Sequence, residues 1–544
     1  MIGIFLRDAT PRILVSALLA AVIASLGWSY AGREQDVPDA ITKSAKMHCA
    51  SYAPFIGSEN PGDANFRAPP ERIDQDMALL AKSFECVRTY SPDQGIDQVL
   101  PAARKYGLKV FMGAWIGRDP IGNAKEIDRT IAAVLANADV VAGVIVGNEV
   151  LLRGELPADK LKGLILQVKQ AVGPIPVTYA DVWEFWLANK TLADAVDFVT
   201  VHILPYWENE PTPVMDAIDH VQTVLGQVTS TFPGKHILIG ETGWPSRGRM
   251  REGAEPSLVA QATYNRAIIT YTEAHDIETN LVEAFDQPWK RKDEGTVGGN
   301  WGIYDTTRHL KQELTGPVSN YPAWRIQAAL SSVIALLLLG LAIGLRPKAS
   351  WLLVLALAPF CALAGATLII CGQDLLGARL TIPDTGGGIL GVSLILGTAI
   401  CFGLHWFDPS TVRGPTLPDH ILSRNFREIR PDIADLLGLM RILTQIGALS
   451  IALGQIFDPR YRDFPVGVYV LPALAFAAEG LRRQRWARIA AGPIEKFLCW
   501  ALIGCAGIIL IREGIENIHA IAFINILVLL GLRVATAGKP VPVI

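Results

Sequence analysis

The feature that most constrains this chain is a series of apolar segments after Trp324. There are seven, at about 326–345, 350–371, 388–407, 436–457, 465–481, 497–511 and 518–533, and an eighth runs from about Ile13 to Tyr30. Crossing about 30 Å of hydrocarbon takes roughly 20 apolar residues in a helix. Any one segment could be a buried core helix, the short ones near 470 and 505 most readily. Seven together, joined by short loops, predict a membrane domain.

Charge divides the 544 residues in the same way. Residues 33–324 hold 28 Lys+Arg against 38 Asp+Glu, a net of −10, while the remainder holds 21 against 14, a net of +7. The overall −3 is therefore a cancellation between an acidic, soluble-looking block and two apolar, basic flanks. A chain that is 50% hydrophobic is not disordered, and the absence of a basic surplus argues against a nucleic-acid partner. The expected organisation is an N-terminal anchor or signal over 1–31, an exported block over 32–322 and a membrane domain over 323–544.

Short cytoplasmic loops are enriched in Lys and Arg. With the N-terminus inside, the inside segments hold 15 such residues, among them Arg7, Arg12, Arg346, Lys348, Arg413, Arg424, Arg427, Arg430, Arg482, Arg483, Arg485, Arg488 and Lys496. The short outside loops hold 4: Arg379, Arg460, Arg462 and Arg512. This imbalance predicts a multi-pass protein of the cell (inner) membrane, with the acidic block periplasmic or extracellular and the C-terminus cytoplasmic. Ser29-Tyr30-Ala31 offers small residues to a signal peptidase, so the first segment reads as a cleaved signal or a retained anchor. Of the seven cysteines, only Cys49 and Cys86 fall in the exported block. An oxidising compartment permits a bridge between them without requiring one.

From residue 46 the block alternates short β-branched runs with helical periods, the pattern of a parallel sheet with crossover helices. Strands are expected at 49–54, 86–90, 109–114, 143–148, 176–180, 197–204, 236–241 and 280–286. Helices are expected at 71–84, 123–137, 157–172, 213–229 and 257–275. Eight such repeats in under 300 residues predict an α/β fold, a (β/α)8 TIM barrel, followed by the all-α multi-span membrane domain. A doubly wound sheet is the alternative, but no Gly-rich phosphate loop follows the first strand.

A barrel builds its site at the C-terminal ends of its strands. There the sequence places Tyr52, Arg88 with Tyr90, Trp115, Asn148 with Glu149, Tyr179 with Asp181, His202 with Tyr206 and Trp207, Glu241, and Glu283 with Asp286. Such residues could form an ordinary solvated rim. Against that stand two glutamates in tight local motifs, Val146-Gly147-Asn148-Glu149-Val150 after strand 4 and Gly240-Glu241-Thr242-Gly243-Trp244-Pro245-Ser246 after strand 7.

These motifs resemble the barrel clan of retaining glycoside hydrolases, and the segment from Glu241 to Ser246 is similar to the signature of glycoside hydrolase family 17, the β-1,3-glucanases and glucan transglucosylases. Val87-Arg88-Thr89-Tyr90, Pro205-Tyr206-Trp207, the stretch from Glu283 to Lys290 and Trp301-Gly302-Ile303-Tyr304-Asp305 add to the resemblance, which spans about residues 46–312. His202 departs from it, standing where members of the family usually carry Asn. That departure bears on the sugar contacts near strand 6, and the position reads as a satisfied wall histidine rather than as a group for catalytic proton transfer.

The resemblance implies Glu149 as general acid/base and Glu241 as nucleophile, about 5–5.5 Å apart as retention requires. It implies that Asn148 holds the sugar 2-hydroxyl, and that Arg88, Tyr206 and Glu283 position Glu241 or tune its charge. Trp115, Trp207 and Trp289 offer flat faces to sugar rings. Tyr52, Tyr90, Tyr179, Trp244, Asp286 and Lys290 are further candidate substrate-binding or supporting residues. Each aromatic could equally be packing in the core. No His/Cys cluster with metal spacing occurs in the block, so neither metal nor other cofactor is expected.

A covalent intermediate can pass to water or to another sugar. Tethering at the membrane favours transfer, because nascent glucan emerges there, and membrane-linked bacterial relatives of similar layout are associated with β-(1→3),(1→6)-glucan synthesis. The expected partners are β-glucan, the lipid bilayer and a membrane glucan synthase. Plain endo- or exo-hydrolysis is the alternative. A different alternative makes the membrane spans the working part, exporting a glycan. Charged residues inside spans would mark such a path, and the few present, Arg441, Glu479, Asp374 and His405, read as snorkelling at span ends. A non-catalytic glucan-binding barrel is a third alternative.

Overall fold

A computed structural model describes residues 2–43, 46–345, 350–377, 382–406, 433–482 and 493–532. It divides into two compact units, Gln35–Val318 and the combination of Met1–Glu34 with Ser319–Ile544.

In the first unit the β-branched runs become eight parallel strands: β1 Met47–Ser51, β2 Phe84–Arg88, β3 Lys109–Ala114, β4 Val141–Asn148, β5 Val177–Val182, β6 Val199–His202, β7 Ile237–Thr242 and β8 Thr279–Leu281. Each pairs with its sequence neighbours, and β8 returns to β1 to close the barrel, as the alternating pattern predicts. Crossover helices cover the outside. Pro120–Ala136 starts on Asp119, whose carboxylate accepts from the amides of Ile121 and Gly122 at 3.0 Å, with Pro120 in the first turn where its missing N–H costs nothing. Ala158–Val172 buries Leu161, Ile165, Val168 and Val172, spaced to form one helical stripe.

The expected elements differ from the observed ones mainly at their ends. Strand β8 stops at Leu281 instead of 286, because the backbone beyond it bonds to a later segment: Ile303 donates to the Glu283 carbonyl at 2.8 Å and Asp286 to the Tyr304 carbonyl at 3.0 Å. Two short helices, Val99–Tyr106 and Trp183–Ala188, add to the predicted set. Cys49 and Cys86 lie opposite each other in the β1–β2 register and are joined as a disulfide, with Cα atoms 4.5 Å apart.

In the second unit the apolar segments form eight helices among the described residues: Ile2–Ala31, Trp324–Leu345, Trp351–Gly377, Ile382–Trp406, Ile433–Phe457, Val466–Arg482, Pro493–Glu513 and Ile518–Gly531. Six are long and apolar enough to cross a membrane, while those starting at Val466 and Ile518 are shorter. The segment near 505, expected to be short, lies in a helix of 21 residues. The loop residues Arg346, Lys348, Arg379, Arg413, Arg424, Arg427, Arg430, Arg483, Arg485 and Arg488, which carry most of the orientation argument, lie outside the described residues.

Snorkelling does not describe His405, Glu479 and Arg441 of these helices. His405 faces Glu479 at 3.0 Å and Arg441 faces Glu495 at 2.7 Å, all four buried among the helices. A charge in an apolar interior is stable only when paired, which is why these side chains turn inward.

Candidate active site

The barrel topology brings the C-terminal ends of β2, β4, β6 and β7 together. Asn148 is the last residue of β4, and Glu149 follows it in a left-handed conformation (φ 53°), reached through Gly147 at φ 89°. A side chain other than glycine pays a steric penalty there, and the turn it makes carries Glu149 over the barrel mouth. The register of β6 against β7 sets His202 beside Glu241. One carboxylate oxygen of Glu149, one of Glu241 and a ring nitrogen of His202 all lie within 4.8 Å of one another.

The two carboxylates have different surroundings. Glu241 is buried. Its Oε1 accepts from the Arg88 guanidinium and, at 2.9 Å, from the Tyr90 hydroxyl. Arg88 also donates to Asn148 Oδ1 and lies 4.3 Å from the Tyr90 ring centroid, so one cation ties β2, β4 and β7 together. Burial works to raise the Glu241 carboxyl, but His202, Arg88, Lys290 and the Tyr90 hydrogen bond outweigh it and hold it well below the ordinary carboxylate range. Glu149 is more open, 22% exposed at the side chain against 10% for Glu241, and its Oε1 lies 3.0 Å from His202 Nδ1.

Lys290 meets both oxygens of Glu283, at 3.0 and 3.1 Å. Burial still pushes Glu283 up, to about 7, against the pull of that ammonium. Glu283 therefore faces Lys290, and Lys290 in turn acts on Glu241. The three clustered donors are compact enough to hold a metal ion, yet Arg88 on Glu241 and Lys290 close by already supply positive charge.

The remaining sequence candidates divide by burial. Trp115 is 43% exposed, with the Arg153 guanidinium stacked 4.3 Å from its ring centroid. Trp207 stacks on Tyr206 at 5.5 Å, and Trp289 donates to Gln287 at 2.9 Å; both tryptophans are partly open. Other candidates point into the barrel wall. Tyr52 donates to Asp76, Tyr179 to Asp181, Tyr206 to the Arg249 carbonyl and Trp244 to the Glu255 carbonyl. Asp286 is buried against Lys311 at 2.9 Å and the Gly302 amide. Tyr206 thus reaches the loop after β7.

Near the site, Arg153 and Glu294 carried no distinguishing signal in the sequence, whereas Asp181 stands among the strand-end residues it placed there. Arg153 bonds the Asn148 and Ile116 carbonyls and Glu155. Asp181 is pushed up to about 6 by burial. Glu294, on the helix Arg291–Gly298, is raised by burial and by the charges of Glu149 and Glu241 against the pull of Lys290. Residues 49–302 match the family model of the BtgE/BtgC glycoside hydrolase domain. The barrel is a BtgE/BtgC glycoside hydrolase domain. The protein is accordingly a glycosidase or transglycosylase.

Similar proteins include a glucan 1,3-β-glucosidase of Arthroderma benhamiae, 29% identical over 44% of this chain and 82% of that protein. A probable β-glucosidase of Aspergillus fumigatus, btgE, is 31% identical over 43% of this chain and 42% of its own length. The crystal structure of a glycoside hydrolase family 17 β-1,3-glucanosyltransferase from Rhizomucor miehei is 28% identical and covers 49% of this chain and 95% of that one, with a TM-score of 0.44. The family match ends at residue 302, ahead of the apolar helices that begin at Trp324.

Proposed function

We propose that the protein is a membrane-tethered retaining enzyme that cleaves β-1,3-glucan through a covalent glucosyl-enzyme and transfers the glycosyl group to another glucan. The substrate class draws support from the names of the fungal relatives, glucan 1,3-β-glucosidases at 29% and 28% identity. The observation that carries the mechanism is the approach of Glu149 and Glu241 oxygens to within 4.8 Å. Retaining pairs stand about 5–5.5 Å apart, whereas inverting pairs need roughly 6.5–9.5 Å to admit a water.

The surroundings of the two carboxylates support a division of roles. Glu241, held ionised by Arg88 and Tyr90, is the nucleophile: its carboxylate bonds to the anomeric carbon as the glycosidic bond breaks. Glu149, the more open carboxyl, gives its proton to the departing oxygen. It then takes a proton from the incoming hydroxyl, which displaces Glu241 and restores the anomeric configuration. Asn148 is placed to hold the 2-hydroxyl through its amide nitrogen, since its oxygen is occupied by Arg88. Trp115, Trp207 and Trp289 supply apolar faces for sugar rings. In this reading the apolar helices span the cell membrane, the barrel lies on its periplasmic or extracellular side, and a membrane glucan synthase supplies the nascent chain. A fixed position beside emerging glucan keeps sugar hydroxyls concentrated at the site, which favours them over water as acceptors.

The test is product analysis. Full-length protein in detergent, incubated with β-1,3-gluco-oligosaccharides, is expected to yield chains longer than the substrate as well as shorter ones, and Glu241→Gln neither. Exclusively shorter products at every substrate concentration would leave a hydrolase and overturn the transfer half of the proposal.

A further inference from the structure

His202 touches both carboxylates, and nothing in the fold requires a histidine there. It ends β6 with its side chain fully enclosed. Nδ1 lies 3.0 Å from Glu149 Oε1 and 3.9 Å from Glu241 Oε2. The opposite ring nitrogen, Nε2, is buried with no hydrogen-bond partner. It packs against Gly240 of β7 so tightly that a methyl group on Gly240 would stand 3.2 Å from Nε2 and 3.1 Å from Cδ2. An N–H at that position would be buried and unsatisfied, a costly state that folded proteins avoid. The ring proton aimed at Glu149 therefore belongs on Nδ1.

We propose that His202 is a positioning residue that decides which oxygen of Glu149 carries the transferable proton. This rests on Glu149 being the acid/base. With Oε1 occupied as the acceptor of the His202 N–H, the proton of the neutral carboxyl resides on Oε2, the oxygen free to face the glycosidic bond. The bond also favours the transfer itself. As the proton passes from Oε2 to the leaving oxygen, and the C–O electron pair goes with that oxygen, negative charge builds on Glu149. The N–H···O contact then becomes charge-assisted and stronger. The gain appears only as the transition state is approached, so it lowers the barrier without tightening substrate binding. Gly240 leaves room for this packing: a side chain there would clash with Thr200 Cγ2 and press on the His202 ring at 3.1–3.2 Å.

Leaving-group dependence separates this role from a structural one. A substrate with a good leaving group, such as 2,4-dinitrophenyl β-laminaribioside, needs no proton in the first step, whereas laminari-oligosaccharides do. In full-length protein, His202→Leu removes the donor at similar volume. It is expected to cost on the order of tenfold or more in kcat on the oligosaccharide, a part of the roughly 10²–10⁴ that general acid catalysis supplies, with little change in glycosylation by the aryl substrate. His202→Asn, whose amide N–H can stand near the Nδ1 position, is expected to recover most of the loss. Equal losses on both substrates, or an Asn variant as impaired as the Leu variant, would overturn the proposal. Glu149→Gln run alongside isolates the premise: if it keeps full oligosaccharide activity, the acid/base assignment itself has failed, whatever His202 does.

Discussion

The Tyr90 hydroxyl donates to Glu241 Oε1 at 2.9 Å, on the same oxygen that Arg88 holds. A donor to the ionised form favours it, so this contact helps keep the Glu241 carboxyl below the ordinary range. Removing the hydroxyl with Tyr90→Phe should move the acid limb of kcat/KM to higher pH. Stability follows the same sign. A carboxylate whose folded value lies below its unfolded value of about 4.3 contributes stability above that pH and loses it as pH falls through the folded value. The variant should therefore unfold at a higher pH during acid titration. An acid limb unmoved by Tyr90→Phe would mean that His202, Arg88 and Lys290 set the ionisation of Glu241 without the hydroxyl.

If the two glutamates act on opposite faces of the sugar, small anions should tell them apart. Glu149→Ala is expected to lose about 10²–10⁴ in rate on unactivated glucan. Azide should restore turnover of an activated aryl glucoside and give the β-glycosyl azide, because azide replaces the second displacement on the Glu241 ester. Glu241→Ala with azide and an activated substrate should instead give the α-product, since only one displacement remains. NMR of the anomeric proton reads both outcomes, and the same anomer from both variants would contradict the assignment.

The barrel was legible because it is a local pattern repeated eight times: β-branched run, loop, amphipathic helix. Strand ends were less so. After Leu281 the apolar, aromatic run Val282–Phe285 still reads as strand, and Val282 and Ala284 do donate to Thr242 and Ser51 of the flanking strands, but Glu283 and Ala284 also bond to Trp301, Ile303 and Tyr304, a partner that no local pattern reveals. The site shows the same limit. Residue types at strand ends indicated the chemistry, whereas the approach of His202 to Glu149 depends on β4 and β6 meeting across the barrel. In the unit of apolar helices, position near a segment end suggested snorkelling for Arg441 and His405. Whether such a side chain faces lipid or a neighbouring helix is a matter of helix rotation, and packing between helices sets that.

Glu283 should leave its own mark on stability. Its carboxyl, buried and pushed up to about 7, binds its proton more tightly in the folded chain than unfolded, where the value is about 4.3. Between those values the folded state carries the extra proton, so this group's contribution falls as pH rises through the window and is gone above it. Glu283→Gln cannot titrate. Its melting temperature relative to wild type should therefore shift in the variant's favour between about pH 5 and pH 8. A difference constant across that range would assign the carboxyl an unshifted titration.

The Cys49–Cys86 bridge spans 37 residues and ties β1 to β2. Closing a loop of that length stabilises by about 2–4 kcal/mol, mostly through the unfolded chain. The double variant Cys49→Ala/Cys86→Ala should lose stability of that order in denaturant titration while keeping its kcat, because the bridge packs in an apolar cluster with Phe111, Ile145, Phe198 and Leu238 that does not include Glu241 or Glu149. A matching loss of kcat would couple the bridge to the site.

Arg441 and Glu495, 2.7 Å apart and buried, lie on helices Ile433–Phe457 and Pro493–Glu513. Two charges taken from water are tolerated because each answers the other, and removing one takes this ion pair from its buried partner. Arg441→Met should cost about 3–5 kcal/mol, while Arg441→Met combined with Glu495→Leu should recover most of that. Thermal denaturation of detergent-solubilised protein gives the comparison, read as a double-mutant cycle. If the pair only clamps the helices, glucan remodelling by the double variant should match wild type. A stable double variant that remodels exogenous glucan normally but fails in cells would indicate that the membrane helices do more than anchor the barrel.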